Sequence, residues 1–301
     1  MYYNSLNNYL KNRFGTKVYK LSLNAGLTCP NRDGTLSYDG CIFCSAGGSG
    51  DFASSATLSI TDQIEEAKGK VSRKIKDGLY IAYFQAYTNT YGPIKYLRRI
   101  FFEAISHKDI VAISIATRPD CLGDDVLNLL DELNKIKPVF VELGLQTTNE
   151  KTASYINRGY DLDCFEAAVI RLHNIGINVV VHVIIGLPGE TSKDVFNTIN
   201  HISSLPINGI KLQLLHVLKN TKLAKDYADN KFKTLKMDDY IKIVAHCIEL
   251  LPTDIVIHRI TGDGPKNLLI APLWSLNKKH VLNSLNKYFR DNDITQGSKI
   301  T

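Results

Sequence analysis

Val179-Val-Val-His182-Val-Ile-Ile-Gly-Leu187 is the longest apolar run of the chain, and only His182 interrupts it. A strand that is covered on both faces of a parallel sheet has a continuous apolar run of this kind. The run is far shorter than the roughly 18 apolar residues that a membrane-spanning helix needs. We therefore predict a buried strand of a parallel sheet.

Other short apolar runs alternate with longer stretches in which apolar residues have helical spacing. This alternation is typical of repeated βα units. Seven strands are predicted, near residues 18–25, 79–87, 110–117, 139–146, 178–187, 209–217 and 254–260. Seven parallel strands come close to the number in a (β/α) barrel. The predicted fold class is therefore α/β.

Helix signals lie between the predicted strands. Ser59-Ile-Thr-Asp62 and Thr191-Ser-Lys-Asp194 each place an acid three residues after a hydroxyl side chain, as in an N-terminal cap. Apolar residues at helical spacing predict three helices, at Ile64, Ala67, Val71 and Ile75, at Leu127, Leu130 and Leu133, and at Ile241, Val244, Ala245 and Ile248.

The composition indicates an ordinary globular protein. Hydrophobic residues make up 44% and charged residues 22% of 301 residues, so neither disorder nor a fibrous repeat is suggested. The chain begins without a secretory signal pattern, and we expect it in the cytoplasm, with no membrane partner. The six cysteines are then reduced thiols that are available to metals.

Polar residues follow the predicted strands at their C-terminal ends, where the catalytic groups of parallel barrels lie. These residues are Gln85, Tyr87, Thr88, Thr117, Arg118, Gln146, Gly186, His216 and Arg259. Their convergence on one rim predicts a site for a large polar ligand.

Cys29, Cys41 and Cys44 follow the first predicted strand with the spacing C-x11-C-x2-C. The Pro, Asn, Asp and Gly residues between Cys29 and Cys41 predict a loop that can bring the three thiols together. A structural zinc site usually has four protein ligands, whereas a three-cysteine iron–sulfur cluster leaves one iron open to an external ligand. Spacing alone leaves an iron–sulfur cluster, zinc and unligated thiols as alternatives. Cys121, Cys164 and Cys247 lie in or beside predicted helices and are interpreted as core or helix-face residues.

Three further features resemble the radical S-adenosylmethionine (SAM) superfamily. Phe43 immediately precedes the third cysteine, the stretch 182–190 looks like an adenine-contacting strand, and Gly144-Leu-Gln146 is followed by Asn157-Arg158. The resemblance extends from about residue 18 to residue 290. It implies a partial parallel (β/α) barrel over residues 18–265, preceded by an N-terminal segment, 1–17, and followed by a short, basic helical extension, 266–301.

The resemblance also implies two cofactors, a [4Fe–4S] cluster on Cys29, Cys41 and Cys44, and SAM. It assigns the SAM contacts to residues of the loop and the strand ends: Phe43, Gln85, Thr88, Arg118, Gln146, Arg158, His182, Ile184 and Gly186. Arg118 and Arg158 are expected to pair with the SAM carboxylate, because a guanidinium offers two parallel donors. The Gly47-Gly48 pair is expected to let the backbone pass close to SAM.

Three more segments look like the Elongator-like bacterial branch, the MnmL/YtqA-type family. They are 84–91, Thr117-Arg-Pro-Asp120 and 258–265. This narrower resemblance implies conversion of 5-carboxymethylaminomethyl-uridine to 5-aminomethyl-uridine at the tRNA wobble position. The implied partners are tRNA, a reducing protein such as flavodoxin or ferredoxin, and a downstream tRNA methyltransferase. The residues expected to face the substrate are Tyr87, Tyr91, His216 and Arg259.

Residues 266–301 carry a net charge of +4, from six basic residues and two aspartates. Basic side chains bind nucleic acid by neutralising phosphates. We therefore predict tRNA contacts at Lys278, Lys279, Lys287 and Arg290, with a solvated helical face as the alternative. Two other functions remain open, a radical SAM enzyme for a small metabolite and a zinc-stabilised RNA-binding module without enzymatic activity.

Overall fold

The computed structural model describes residues 2–48, 50–71 and 78–300. Its strands are β1 Val18–Leu23, β2 Leu79–Phe84, β3 Ile110–Thr117, β4 Val139–Gln146, β5 Asn178–Ile185, β6 Gly209–Leu214, β7 Val217–Leu218, β8 Val256–Arg259 and β9 Leu269–Ala271. Seven of them form one parallel sheet in the order β1-β2-β3-β4-β5-β6-β8. The prediction of seven parallel strands is confirmed.

The predicted strands 110–117 and 139–146 coincide with β3 and β4, whereas the other five extended beyond the C-terminal ends of β1, β2, β5, β6 and β8. Tyr87, which was assigned to the second strand, has a left-handed backbone with φ of 61°, so it turns the chain away from the sheet. The last predicted strand starts later, at Val256. A second sheet, in which β7 and β9 pair antiparallel, was not predicted because its strands have only two and three residues.

The helices are α1 Leu6–Phe14, α2 Ile60–Val71, α3 Ile94–Ser106, α4 Asp124–Asn134, α5 Glu150–Tyr155, α6 Leu162–Asn174, α7 Ser192–Ser203, α8 Lys222–Ala228, α9 Met237–Leu250 and α10 Lys278–Asp291. The apolar patterns and caps correctly predicted α2, α4, α7 and α9, although Ile75 lies outside the described residues. The helix α10 lies within the predicted C-terminal extension, residues 266–301, which also contains β9. No helix within the described ranges is long and apolar enough to cross a membrane.

Alternate residues of each strand face opposite sides of the sheet. On β4, Val141 and Leu143 pack in the main core together with Phe165 of α6, whereas Glu142 and Gln146 line clefts on the other face. The strands therefore have an apolar outer face beneath the helices and an inner face that becomes polar toward the C-terminal end.

The sheet is curled, because side chains from distant strands meet on its inner face. Lys20 of β1 contacts Glu142 of β4, and Lys211 of β6 contacts Tyr83 of β2. The result is the partial barrel that the sequence predicted.

The N-terminal end of this interior is closed by α1. Leu10 is buried in a cluster with inward-facing residues at the starts of four strands, which are Val18, Ile81, Phe140 and Val180. Ser5 also forms a parallel bridge with Ile257 of β8. The polar interior therefore lies above an apolar floor and opens toward the C-terminal ends of the strands.

Candidate active site

The loop after β1 holds the three cysteines in two tight turns. The amides of Arg32 and Asp33 donate to the Cys29 carbonyl over 2.8 and 3.2 Å, and the Cys44 amide donates to the Cys41 carbonyl over 3.0 Å. All three cysteines line one cleft, which we call the cysteine cleft. The structure therefore brings the three predicted ligands to one surface.

Arg32 fastens the two ends of this loop together. Its guanidinium donates to the carbonyls of Cys44 and Ser45 over 2.7 and 2.8 Å. Gly40 has φ of 70°, and a Cβ there would lie 2.8 Å from Arg32 Nε. Glycine at this position therefore permits both the turn and the close approach of Arg32.

The turn after α5 clasps the same loop from the other side. The Asn31 side chain donates to the Asn157 carbonyl over 2.6 Å, and the Asn157 side chain donates to the Gly40 carbonyl over 2.7 Å. The Ile42 amide also donates to the Ile156 carbonyl. The residues just before Arg158 therefore position the cysteine loop.

The three thiols are spaced more widely than the ligands of an assembled zinc site. Zn–S bonds of about 2.3 Å place the sulfur atoms of a tetrahedral site about 3.8 Å apart. Within residues 2–48, 50–71 and 78–300, the only group of three metal-ligand side chains whose atoms all lie within 4.8 Å is Glu65, His107 and Asp109. The sulfur atoms of the three cysteines therefore do not all lie within 4.8 Å of one another, which is compatible with ligands on different irons of a cluster.

The electrostatics of Cys41 also favour a strongly cationic metal group. Burial and the neighbouring Cys44 raise the pKa of the Cys41 thiol to about 12, although Arg118 opposes them. Metal binding deprotonates a coordinating thiol. Three clustered thiols fit an iron–sulfur group, since its irons would compensate the charge of the thiolates.

A second, larger cavity of about 580 Å³ adjoins the cysteine cleft, whose volume is about 190 Å³. We call it the wide cleft, and its own lining includes Lys20, Ser22, Ile184, His216 and Asp263. The residues shared by both linings are Phe43, Gln85, Gln146, His182, Gln213 and Arg259. The two cavities are thus compartments of one site at the C-terminal end of the barrel.

Seven of the nine predicted SAM contacts face this site. Thr88 and Arg118 line the cysteine cleft, and Ile184 lines the wide cleft. The other four are in the shared wall: Phe43, Gln85, Gln146 and His182. Gly186 and Arg158 line neither cavity. Gly186 has φ of 94° and packs near Leu235 and Leu215, so it serves the turn after β5.

Gln146 is held in the shared wall by an unusual backbone. Its φ of 65° lies in the left-handed region. A Cβ on Gly144 would lie 2.6 Å from Gln146 Nε2, and the Tyr160 hydroxyl donates to the Gly144 carbonyl over 2.6 Å. The glycine and the tyrosine therefore determine where the amide points.

Arg118 lines the cysteine cleft, but an acid already occupies one edge of its guanidinium. Nε and one terminal nitrogen donate to both carboxylate oxygens of Asp120, over 2.9 and 2.7 Å. The other terminal nitrogen donates to the Arg158 carbonyl, and the guanidinium lies over the Tyr160 ring. The planar group is therefore fixed beside the cysteines.

Arg158 lies behind Tyr160, with its side chain 1% exposed. It donates to the carbonyls of Leu145, Thr147 and Tyr160 and to the Glu150 carboxylate. These bonds tie β4 to the turn after α5. The structure thus gives Arg158 main-chain partners instead of the position on a ligand-binding surface that the sequence predicted.

The two tyrosines predicted to face the substrate differ in position. Tyr87 lines the cysteine cleft and donates to the Ala46 carbonyl over 2.5 Å. A Cβ on Gly48 would lie 2.3 Å from the Tyr87 ring, so that glycine accommodates the tyrosine. Tyr91 lines neither cavity, and its hydroxyl lies 2.8 Å from that of Thr35.

His216 and Arg259, the other two predicted substrate residues, both line the wide cleft. Burial lowers the pKa of His216 to about 4, so its ring is neutral. The Arg259 guanidinium donates to Asp263 over 3.2 Å, and Lys278 donates to the same carboxylate over 2.7 Å. This shared acid links the start of α10 to the rim of the cleft.

The four predicted tRNA contacts are all exposed on α10, as Lys278, Lys279, Lys287 and Arg290. The opposite face of the helix buries Val281, Leu285 and Phe289. Lys278 is bound by Asp263, whereas Lys279, Lys287 and Arg290 lie on the outward face.

Sequence reasoning missed the charged side chains inside the barrel, Lys20, Glu142 and Lys211. Each stands in the middle of an apolar strand, and all three line the site. A charge within a strand that is buried on both faces was the available signal, because such groups are rarely buried without partners or function.

Two family models match the chain. The model of the radical SAM superfamily matches residues 27–202, and that of the radical SAM C-terminal domain matches residues 207–291. The first covers more than half of the chain.

Curated relatives fall into two groups. YtqA of Bacillus subtilis (strain 168) is 47% identical over 98% of this chain and 92% of its own length. The tRNA uridine(34) acetyltransferase of Methanocaldococcus jannaschii is 26% identical over 56% of this chain and 31% of its own length. Elongator complex protein 3 of Schizosaccharomyces pombe is 26% identical over 60% of this chain and 33% of its own length. The chain thus aligns with about a third of the last two proteins.

Among solved structures, the archaeal Elp3 of Methanocaldococcus infernus superposes with a TM-score of 0.68. The sequence identity is 17%, and the superposition covers 93% of this chain and 64% of that one. This likeness shows a shared fold. Together with the superfamily match, the comparisons establish that the chain belongs to the radical SAM superfamily, as an Elongator-like enzyme whose cofactors are SAM and a [4Fe–4S] cluster.

Proposed function

We propose that this enzyme modifies the wobble uridine of tRNA, converting 5-carboxymethylaminomethyl-uridine to 5-aminomethyl-uridine. The observation that carries the proposal is the single site in which the cysteine cleft and a polar wide cleft share one wall. The name of the archaeal relative, tRNA uridine(34) acetyltransferase, supports a tRNA uridine as the substrate.

In this proposal Cys29, Cys41 and Cys44 hold the cluster, and the residues of the shared wall hold SAM. The bound cluster and SAM would supply a 5′-deoxyadenosyl radical for hydrogen abstraction from the substrate. Loss of one hydrogen atom and one electron from the carboxymethyl CH2, followed by addition of water, would break its bond to nitrogen and release the two carbons as glyoxylate, with SAM as the net oxidant. Phe43 and Ile184 offer apolar surfaces for the adenine, and Gln146 offers an amide to the ribose hydroxyls. The protein's part is to orient the reacting groups and exclude competing reactions.

Arg118 and Thr88 are placed to fix the amino-acid end of SAM, since both line the cysteine cleft. The Arg118 guanidinium lies beside the thiols without rotational freedom, because Asp120 and the Arg158 carbonyl hold it. We assign Arg158 the role of positioning Tyr160 and the turn after α5 that holds the cysteine loop. In this assignment Arg158 does not bind SAM directly.

The wide cleft is the proposed seat of the extruded uridine. A base must leave its stack before an enzyme can act on it deep in a pocket. His216 and Arg259 line that cavity, and neutral His216 can donate or accept a hydrogen bond. The exposed cations of α10 begin at the rim of the same cavity, where Lys278 meets Asp263, and provide the proposed contact with tRNA phosphates.

The reaction also needs an electron, for which we propose a reducing protein such as flavodoxin or ferredoxin. A tRNA methyltransferase is the proposed consumer of the product, because aminomethyl-uridine carries a primary amine that such an enzyme can methylate.

The function is tested in cells by comparing the wobble nucleosides of tRNA with and without this gene. We expect carboxymethylaminomethyl-uridine to accumulate when the gene is deleted and to fall when it is restored. A control strain carries the Cys41→Ala variant, which should not restore the pattern. Unchanged nucleosides in the deletion strain would contradict the proposal and favour a small-metabolite substrate.

A further inference from the structure

Six strands of the barrel, β1 to β6, place a compact set of polar side chains above the apolar floor. Its centre is the carboxylate of Glu142, which has no exposed surface. Lys20 donates to Glu142 Oε1 over 2.5 Å, and Lys211 donates to Oε2. His182 and Ser114 add bonds to the same carboxylate, of 2.7 Å each.

Both lysines also contact the ring of Tyr83. The ammonium nitrogens of Lys20 and Lys211 lie 4.9 and 4.6 Å from the centre of the Tyr83 ring. Lys211 also donates to the Tyr83 hydroxyl over 3.1 Å. Both ammonium groups are thus held in fixed positions on opposite strands of the interior.

The charges of this cluster do not balance. Within the described residues, Glu142 is the only acid within ion-pair distance of Lys20 or Lys211. Burial lowers the pKa of His182 to about 4, so the histidine is neutral. Arg259, the next cation, pairs with Asp263. Burial lowers the pKa of Lys211 to about 7, so below that pH two ammonium groups share one carboxylate.

Each of the two lysines also has fewer hydrogen-bond acceptors around it than it has donors. An ammonium carries three donors, and the described residues supply two acceptors to each lysine. Lys20 has Glu142 and Ser114, while Lys211 has Glu142 and Tyr83. Lys20 lines the wide cleft and Lys211 lines the cysteine cleft, so each can direct its third donor at a ligand.

A cluster of this kind is poorly explained by stability alone. Buried ion pairs are often no more stabilising than apolar residues of the same volume, because desolvation offsets the attraction. The adjacent outward positions, such as Leu21 and Leu212, are apolar and buried in the ordinary way. The excess positive charge thus calls for an anionic ligand within the barrel.

We propose that Lys20 and Lys211 together bind the side-chain carboxylate of the modified uridine, and so select 5-substituents that end in a carboxylate. The inference rests on the proposed function, in which the uridine lies in the wide cleft, which Lys20 lines, and its substituent extends past the shared wall toward Lys211 of the cysteine cleft. Cleavage of the bond between the amine nitrogen and the carboxymethyl carbon leaves the two-carbon acid as the anion at the lysines, whereas the nucleoside product carries a primary ammonium that the same lysines repel.

The test uses two anticodon stem–loop RNAs whose substituents differ in charge and by one methyl group. One carries 5-carboxymethylaminomethyl-uridine and the other carries its methyl ester. Binding of both is measured by the cluster-loaded enzyme with SAM, without reductant. The wild type should bind the acid roughly tenfold to a hundredfold more tightly than the ester, the range for a hydrogen bond to a charged group.

Lys211→Met and Lys20→Met should bring the ratio of the two affinities toward one, with SAM affinity unchanged. Lys17→Met is the matched control, because Lys17 is an exposed lysine at the start of β1, and it should keep the wild-type ratio. The wild-type comparison needs no variant, so a variant that fails to fold leaves the claim testable.

An equal affinity of the wild type for acid and ester would overturn the inference. So would a Lys211→Met variant that loses SAM affinity but keeps the acid preference, because the lysine would then serve the SAM carboxylate. Failure of the proposed function looks different, since the wild type would then form no aminomethyl-uridine from the acid substrate under reducing conditions.

Discussion

The side chain of Asn31 donates a hydrogen bond to the main-chain oxygen of Asn157, 2.6 Å away, and the side chain of Asn157 donates to Gly40 over 2.7 Å. This clasp joins the cysteine loop to the turn after α5, although the two asparagines are 126 residues apart. The position of the cysteines thus depends on a segment that contributes no ligand.

Asn157→Gly should accelerate cluster loss. Asn157 has φ of 55°, which glycine tolerates, so the substitution removes only the side-chain hydrogen bond. A lost bond of about 1 kcal/mol corresponds to a change of about fivefold. We expect iron release to an added chelator to be several-fold faster. Asn230→Gly is the control, because its φ is 57° and its side chain bonds only with the nearby Ala228. Equal release rates in the two variants would contradict the role of the clasp.

Arg158→Ala should destabilise the fold. The carbonyls of Leu145 and Thr147 lose buried donors, and an unsatisfied buried polar group costs about 1–3 kcal/mol. We expect the free energy of unfolding of the apoprotein to fall by about 2–4 kcal/mol, as measured by urea titration. If the Arg158→Ala variant has normal stability but does not bind SAM, the result would instead indicate that Arg158 contacts SAM directly.

The fold was largely readable from the sequence because strand burial leaves a local pattern. The run at Val179 was long enough to mark β5, and the cap at Thr191 marked the start of α7. The short β7 and β9 carry no such pattern, since they depend on pairing between distant segments.

The site was readable only in part. The rule that polar groups gather at strand ends predicted Gln85, Gln146 and Arg259. It could not reveal Lys20 or Lys211, because their meeting at Glu142 requires knowledge of how the sheet curls. Nor could the sequence show that main-chain carbonyls already occupy the donors of Arg158.

Carboxylate binding should weaken as the pH rises through neutrality. Burial lowers the pKa of Lys211 to about 7. Attraction to Glu142 opposes this lowering, and repulsion from Lys20 and Arg259 adds to it. Above this pKa the ammonium loses its charge. The preference for the acid RNA over its ester should then fall by up to about tenfold per pH unit.

The other groups that face Lys211 should not titrate in this range. Burial lowers the pKa of His182 to about 4 and holds the pKa of His258 well below its usual range. Burial and Glu142 hold the pKa of the Tyr83 hydroxyl well above its usual range. Burial would raise the pKa of Glu142, but the lysines outweigh it and hold that pKa well below its usual range.

Lys211→Arg should therefore give a preference for the acid RNA that is flat from about pH 6 to about pH 8. The same pH dependence in Lys211→Arg as in the wild type would assign the titration to another group.

Reversal of the outward cations of α10 should weaken tRNA binding. The variant changes Lys279, Lys287 and Arg290 to glutamate and leaves Lys278 in place, because Asp263 binds it. Each lost phosphate contact lowers the slope of log affinity against log salt concentration by about one. We expect a flatter slope, with SAM cleavage in the absence of tRNA unchanged.

The matched control for this reversal changes Lys17, Lys108 and Lys135 to glutamate. All three are exposed and precede β1, β3 and β4, so they lie at the opposite end of the barrel from the site. This control has the same net charge change as the test variant. Equal tRNA affinity in the two variants would show that the basic face of α10 merely solvates the helix.

The central claim is tested most directly by mass spectrometry of nucleosides after one defined reaction. The reaction contains the anaerobically reconstituted enzyme, SAM, a reductant and tRNA bearing carboxymethylaminomethyl-uridine, with the Cys41→Ala variant as control. We predict about four irons per chain in the wild type, and aminomethyl-uridine that appears together with 5′-deoxyadenosine only in the wild-type reaction. Vigorous cleavage of SAM by the wild type with the tRNA nucleoside unchanged would contradict the account.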